Sequence, residues 1–116
     1  MSIKEEQEYI AYILKAMTER ELLEQLAEEA SELAQAALKL IRAAGMSNNP
    51  TPSTKENAAN NLVEEFYDVY NLWYLLWQLD DDITDRADMY LAGSLGFNNK
   101  LQRWAKRLGY DENQKS

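Results

Sequence analysis

Two pairs of carboxylates stand at helical spacing in stretches whose other residues are apolar. Glu28-Glu29-Ala30-Ser31-Glu32 and Glu64-Glu65-Phe66-Tyr67-Asp68 each offer two acids at i and i+3, one turn apart on one helix face. Around the first motif, apolar residues recur every three or four positions: Leu22, Leu26, Ala30, Leu33, Ala37, Leu40 and Ala44. At about 100° per residue, Glu29 falls between Leu22, Leu33 and Leu40 rather than opposite them. Glu65 stands beside Leu72 and Leu76, and Asp68 beside Leu75 and Leu79. A carboxylate against a core costs on the order of several kcal/mol unless something compensates it. A divalent cation is the compensation that these residue types suit.

The rest of the composition narrows which cation and which chemistry. The chain has no cysteine, so no disulfide framework, zinc-thiolate site or thiol nucleophile is available. It also has no histidine, which removes the commonest general base, the usual transition-metal ligand and the serine triad. Carboxylates in bundle cores read as di-iron sites when Glu-x-x-His accompanies them, and that motif is absent. An all-oxygen set suits Mg²⁺ or Mn²⁺, and Mg²⁺ completes its shell with water and substrate phosphates. A phosphorylated substrate follows from that preference.

The formal net charge is −8, from 20 acidic and 12 basic residues. Such a surface repels nucleic acid and anionic membrane, so neither is expected as a partner. The charged segment from Met1 to Glu8 lacks the apolar stretch of a signal peptide, and no run of the sequence is long and apolar enough to span a bilayer. A soluble, cytoplasmic protein is the expectation.

Four glycines and two prolines in 116 residues, with abundant Ala, Leu, Glu and Gln, predict an all-α fold in one domain, residues 1–116. A first amphipathic helix is predicted over residues 3–16, with Ile10, Ile13, Leu14 and Met17 inward, as an N-terminal segment of 1–17. Thr18-x-x-Glu21 is a capping box opening a second helix, which runs to about Ala44 and stops at Gly45. Residues 46–53, rich in Asn, Pro, Ser and Thr, read as a loop. Ser53-x-x-Glu56 reads as a second capping box for a third helix from about Thr54 to Leu79. Asp80-Asp81-Asp82 forms a turn whose acids favour the start of a fourth helix near Ile83. Gly93 and Gly96 kink or interrupt that helix before a segment from Phe97 to Leu108, which Gly109 closes. Residues 110–116 read as a flexible polar tail.

The third helix is apolar nearly all round. Leu62, Phe66, Val69, Trp73 and Leu76 make one stripe, widened by Tyr70, Tyr74 and Trp77 on one side and by Leu72, Leu75 and Leu79 on the other. A helix of that kind needs cover on nearly every side, which predicts a homodimer or homotetramer.

If the second and third helices pack antiparallel, the four carboxylates Glu29, Glu32, Glu65 and Asp68 converge. The order Glu-Glu-x-x-Glu, then Glu-Glu-x-x-Asp on the next long helix, resembles the all-α nucleoside triphosphate pyrophosphohydrolases of the MazG-like group. The resemblance covers roughly residues 18–108. It implies a four-helix bundle, active as an oligomer, that cleaves (d)NTP to the monophosphate and pyrophosphate with Mg²⁺. By position it makes Glu29, Glu32, Glu65 and Asp68 the metal ligands, with Glu28 and Glu64 behind them or at the surface. It also implies that Asn98, Asn99, Lys100 and Arg103 contact the substrate phosphates, with Lys100 and Arg103 stabilising charge there. Without histidine, Glu29 or Glu32 would orient or deprotonate the attacking water. Tyr70, Trp73 and Phe97 are candidates for stacking on the base.

Plainer readings exist for each motif. One Glu-x-x-Glu is ordinary on a solvated face; two that angle into apolar faces on consecutive helices are more specific. Lys100 and Arg103 precede Lys106 and Arg107 in a basic last turn, which suits a helix C-terminus without any ligand. A phosphoribosyl-ATP pyrophosphohydrolase-like enzyme, or a non-enzymatic dimeric helical module, are the alternative functions.

Overall fold

A computed structural model describes the chain except residues 47, 49–52, 93–96, 112 and 114–116, and except the side chains of residues 90–92 and 97–99. Among the described residues it is all-helical: α1 (Ile3–Ala16), α2 (Glu19–Ala43), α3 (Lys55–Leu79), α4 (Asp81–Ala92) and α5 (Phe97–Arg107). The helices fall into two compact units, residues 1–79 and 80–116. The predicted loop around Pro50 and Pro52, the glycines 93 and 96 and most of the C-terminal tail lie outside the described residues.

The helix ends follow from local hydrogen bonding. Ser2 caps α1, its Oγ accepting from the Glu5 N–H at 3.1 Å. At α2 the capping box is complete: Thr18 Oγ1 accepts from the Glu21 N–H at 3.1 Å, and the Thr18 N–H donates to Glu21 Oε1 at 2.9 Å. Those bonds to Thr18 hold the exposed Glu21 carboxyl below its ordinary pKa. At the other end Gly45 adopts φ 76°, so the Met46 N–H reaches back to the Ile41 carbonyl at 3.0 Å, a left-handed closure that favours glycine. Gly109, at φ 101°, closes α5 the same way, with the Tyr110 N–H on the Ala105 carbonyl.

Two predicted starts shift by a residue or two. Thr54, not Ser53, caps α3, its Oγ1 accepting from the Asn57 N–H at 3.1 Å. The Ser53 hydroxyl faces the Thr54 carbonyl instead. Asp80 alone separates α3 from α4: its Oδ1 accepts from the Asp82 and Ile83 N–H groups, so the helix begins at Asp81 rather than near Ile83.

The first unit is built on the α2–α3 pair, packed along much of their length, with α1 against α3. Leu22, Ala36, Ala58, Leu72, Leu75 and Leu76 form its buried core. On α2 the inward positions run Leu22, Leu26, Glu29, Leu33, Ala36, Leu40 and Ala43, all buried or half-buried. On α3 they run Ala58, Leu62, Glu65, Val69, Leu72 and Leu76. Both follow the alternating four-three spacing of a two-helix seam, and one carboxylate interrupts each. Ala30 and Ala37, expected inside, are exposed, because the seam passes through Glu29 and Ala36 instead.

Candidate metal centre

The seam brings the two acidic motifs to one level. Glu29, Glu65 and Asp68 offer carboxylate oxygens that all lie within 4.8 Å of one another. Glu29 and Glu65 are half-buried and Asp68 is exposed, so the cluster opens to solvent at its Asp68 side. Sequence spacing set Asp68 toward the core beside Leu75 and Leu79. It stands at the rim instead, one turn beyond Glu65 and about 60° round the helix from it.

Each seam carboxylate is only partly satisfied. Gln25 donates from Nε2 to Glu29 Oε1 at 3.0 Å, one turn away on α2. The second oxygens, Glu29 Oε2 and Glu65 Oε2, are buried and have no hydrogen-bond partner among the described residues. Gln25 was not singled out in the sequence; its signal is the i, i+4 spacing to Glu29, a pairing that helices favour.

Glu32, expected as a fourth ligand, lies on the exposed edge of α2 outside that three-residue group, although it feels the charges of two of its members. The charge of Glu29, and then that of Glu65, pushes its carboxyl above the ordinary pKa of 4.5; desolvation acts in that direction too, as does hydrogen bonding to the same two carboxylates, which only the protonated form of Glu32 can make. Among the described residues, none of the four carboxylates is paired with Lys or Arg. Carboxylates gathered this closely carry like charge that a divalent ion would relieve.

The residues expected on the phosphates lie on α5, in the second unit. Lys100, Arg103, Lys106 and Arg107, with Trp104, line a shallow cleft of about 670 Å³ there. The side chains of Asn98, Asn99 and Phe97 lie outside the described residues. Tyr70 and Trp73, expected to stack on a base, are exposed on the flank of α3 turned away from Asp68, about 140° round the helix in the case of Trp73. Within one copy they do not line the open side of the carboxylate cluster.

The chain matches no protein-family model, no curated protein and no solved structure.

Proposed function

We propose that the chain is a Mg²⁺-dependent nucleotide pyrophosphohydrolase of the MazG-like type, cleaving a (d)NTP to the monophosphate and pyrophosphate. The observation that carries this reading is the cluster of three carboxylates from two helices, Glu29, Glu65 and Asp68, in which one oxygen each of Glu29 and Glu65 is buried with no hydrogen-bond partner among the described residues. Buried polar atoms without partners are rare in stable folds, and each calls for a partner such as a water or an ion. The donor set is oxygen only, and the chain has no histidine or cysteine, which favours Mg²⁺ or Mn²⁺ over softer ions.

Glu29, Glu32, Glu65 and Asp68 are the ligands in this reading. Bound there, the cation would polarise a phosphoryl oxygen and lower the pKa of a water. Glu32 stands at the solvent edge, where its carboxylate can accept the proton of the attacking water. Water adds to the α-phosphorus as the bond to the bridging oxygen breaks, and the electron pair leaves with pyrophosphate. Lys100 and Arg103 would then neutralise the departing phosphates, Arg103 by a forked contact and Lys100 as a compact charge.

The test is incubation of the purified protein with each (d)NTP and Mg²⁺, measuring pyrophosphate. Turnover that Glu29→Gln and Glu65→Gln abolish supports the reading. Absence of turnover with every nucleotide refutes it.

A further inference from the structure

Gln25 stands one turn before Glu29 on α2, and its Nε2 donates to Glu29 Oε1 at 3.0 Å. Both residues are half-buried, so the pair lies at the edge of the α2–α3 seam rather than on a fully solvated face. Gln25 and Glu32 are seven residues apart in sequence and fall within about 20° of each other round the helix. They bracket Glu29 along one edge, one turn before it and one turn after. The amide occupies one oxygen of Glu29, and the other, Oε2, is buried with no hydrogen-bond partner among the described residues.

We infer that Gln25 positions Glu29 for the cation, a role that rests on the metal reading proposed above. Three features carry it. First, a glutamate side chain has several rotatable bonds, and a carboxylate free to turn loses that freedom when it binds an ion. The amide restricts it beforehand: Oε1 is held, and Oε2 is left as the oxygen with accepting capacity to give. Second, the donor is neutral. A lysine or arginine there would also hold the carboxylate, but its charge would offset the field that draws a divalent ion. Glutamine orients Glu29 and leaves the charge of Glu29, Glu65 and Asp68 intact. Third, an amide does not titrate, so the hold persists at every pH at which the carboxylate is ionised. A Gln–Glu pair at i, i+4 also supports a helix with no ligand involved, and that simpler role predicts a different result.

Mn²⁺ uptake, followed by loss of the free ion's electron paramagnetic resonance signal, measures affinity without turnover. Wild type, Gln25→Met, Gln25→Lys and Glu29→Gln are titrated beside thermal melts in chelator. Methionine keeps the length and helix preference of glutamine and loses the donor. Gln25→Met is expected to weaken Mn²⁺ binding about 10- to 100-fold, the usual effect of removing a partner behind a metal ligand. Gln25→Lys keeps a donor and adds a charge. It is expected to weaken binding too, while raising the melting temperature in chelator. Wild-type affinity in either variant overturns the inference. If Gln25→Met then lowers only the melting temperature in chelator, the bond serves the helix alone. A wild type that takes up no Mn²⁺, or takes it up equally well after Glu29→Gln, overturns the metal reading itself, and the role of Gln25 falls with it.

Discussion

Glu29 on α2 and Glu65 on α3 occupy corresponding seam positions and approach within 4.8 Å, each with one buried oxygen that has no hydrogen-bond partner among the described residues. Every other inward position of the two helices near them is apolar, so the same backbone would accept leucine at both. Burying like charges side by side opposes folding, and the arrangement is explicable if a ligand bound to the folded state offsets that cost.

Replacing Glu65 by leucine should therefore split two effects. In chelator the variant is expected to melt at or above the wild-type temperature, because an apolar seam residue replaces a repelled charge. In Mg²⁺ the wild type should rise by several degrees, since ligand at a hundredfold excess over its Kd adds about 2.7 kcal/mol. Glu65→Leu should not rise at all. Thermal melts in chelator and in millimolar Mg²⁺ measure both. Equal Mg²⁺ responses in the two proteins would remove the case for a metal at this cluster.

The same repulsion makes metal-free stability depend on pH. The folded Glu32 carboxyl titrates above its unfolded value of 4.5, raised first by Glu29 and then by Glu65. Between the two values the folded chain holds more protons than the unfolded chain, so this group's contribution falls as pH rises from about 4.5 through the folded pKa. Glu21 runs the other way: its folded pKa lies below 4.5, and its contribution is lost on acidification. Comparing wild type with Glu32→Gln in chelator isolates the first effect. The wild type is expected to lose stability relative to the variant above that window, and Mg²⁺ should reverse the order.

Much of the helical framework was legible because helix ends are local. The bounds of α1, the Thr18 box and the Gly45 and Gly109 closures depend on residues within one turn of each end, and the structure repeats them. Ser53 against Thr54 was not separable, since both hydroxyl residues precede a helix and only backbone direction selects the acceptor. The seam was legible in period and not in phase. An apolar rhythm counted through Ala30 and Ala37 passes over Glu29, because counting apolar residues cannot assign an inward position to a carboxylate. The structure runs the seam through Glu29 and Ala36. The convergence of the two motifs was readable from their order on consecutive helices, whereas the buried, unpartnered oxygens needed atomic positions.

The caps make a local prediction. Thr18→Ala removes the acceptor for the Glu21 N–H and should cost about 1 kcal/mol. Thr54→Ala should cost a similar amount at α3, whereas Ser53→Ala, one residue earlier, should leave the urea midpoint within error. A larger loss from Ser53→Ala than from Thr54→Ala would return the α3 cap to the serine.

Arg103 separates substrate contact from framework. It lines the α5 cleft with Lys100 and Trp104, and the pyrophosphohydrolase reading sets it on the phosphates. A charge-assisted hydrogen bond is worth about 1.5–3 kcal/mol, so Arg103→Ala should lower kcat/KM roughly 10- to 100-fold. Arg103→Lys keeps the charge and loses the fork, so it should recover part of that loss. Neither change touches the carboxylates, so the Mg²⁺-induced rise in melting temperature should match the wild type in both variants. If Arg103 served only the C-terminal end of α5, Arg103→Ala would lower the metal-free melting temperature and leave kcat/KM unchanged. Steady-state kinetics beside paired melts therefore decide between a phosphate contact and a helix-end charge.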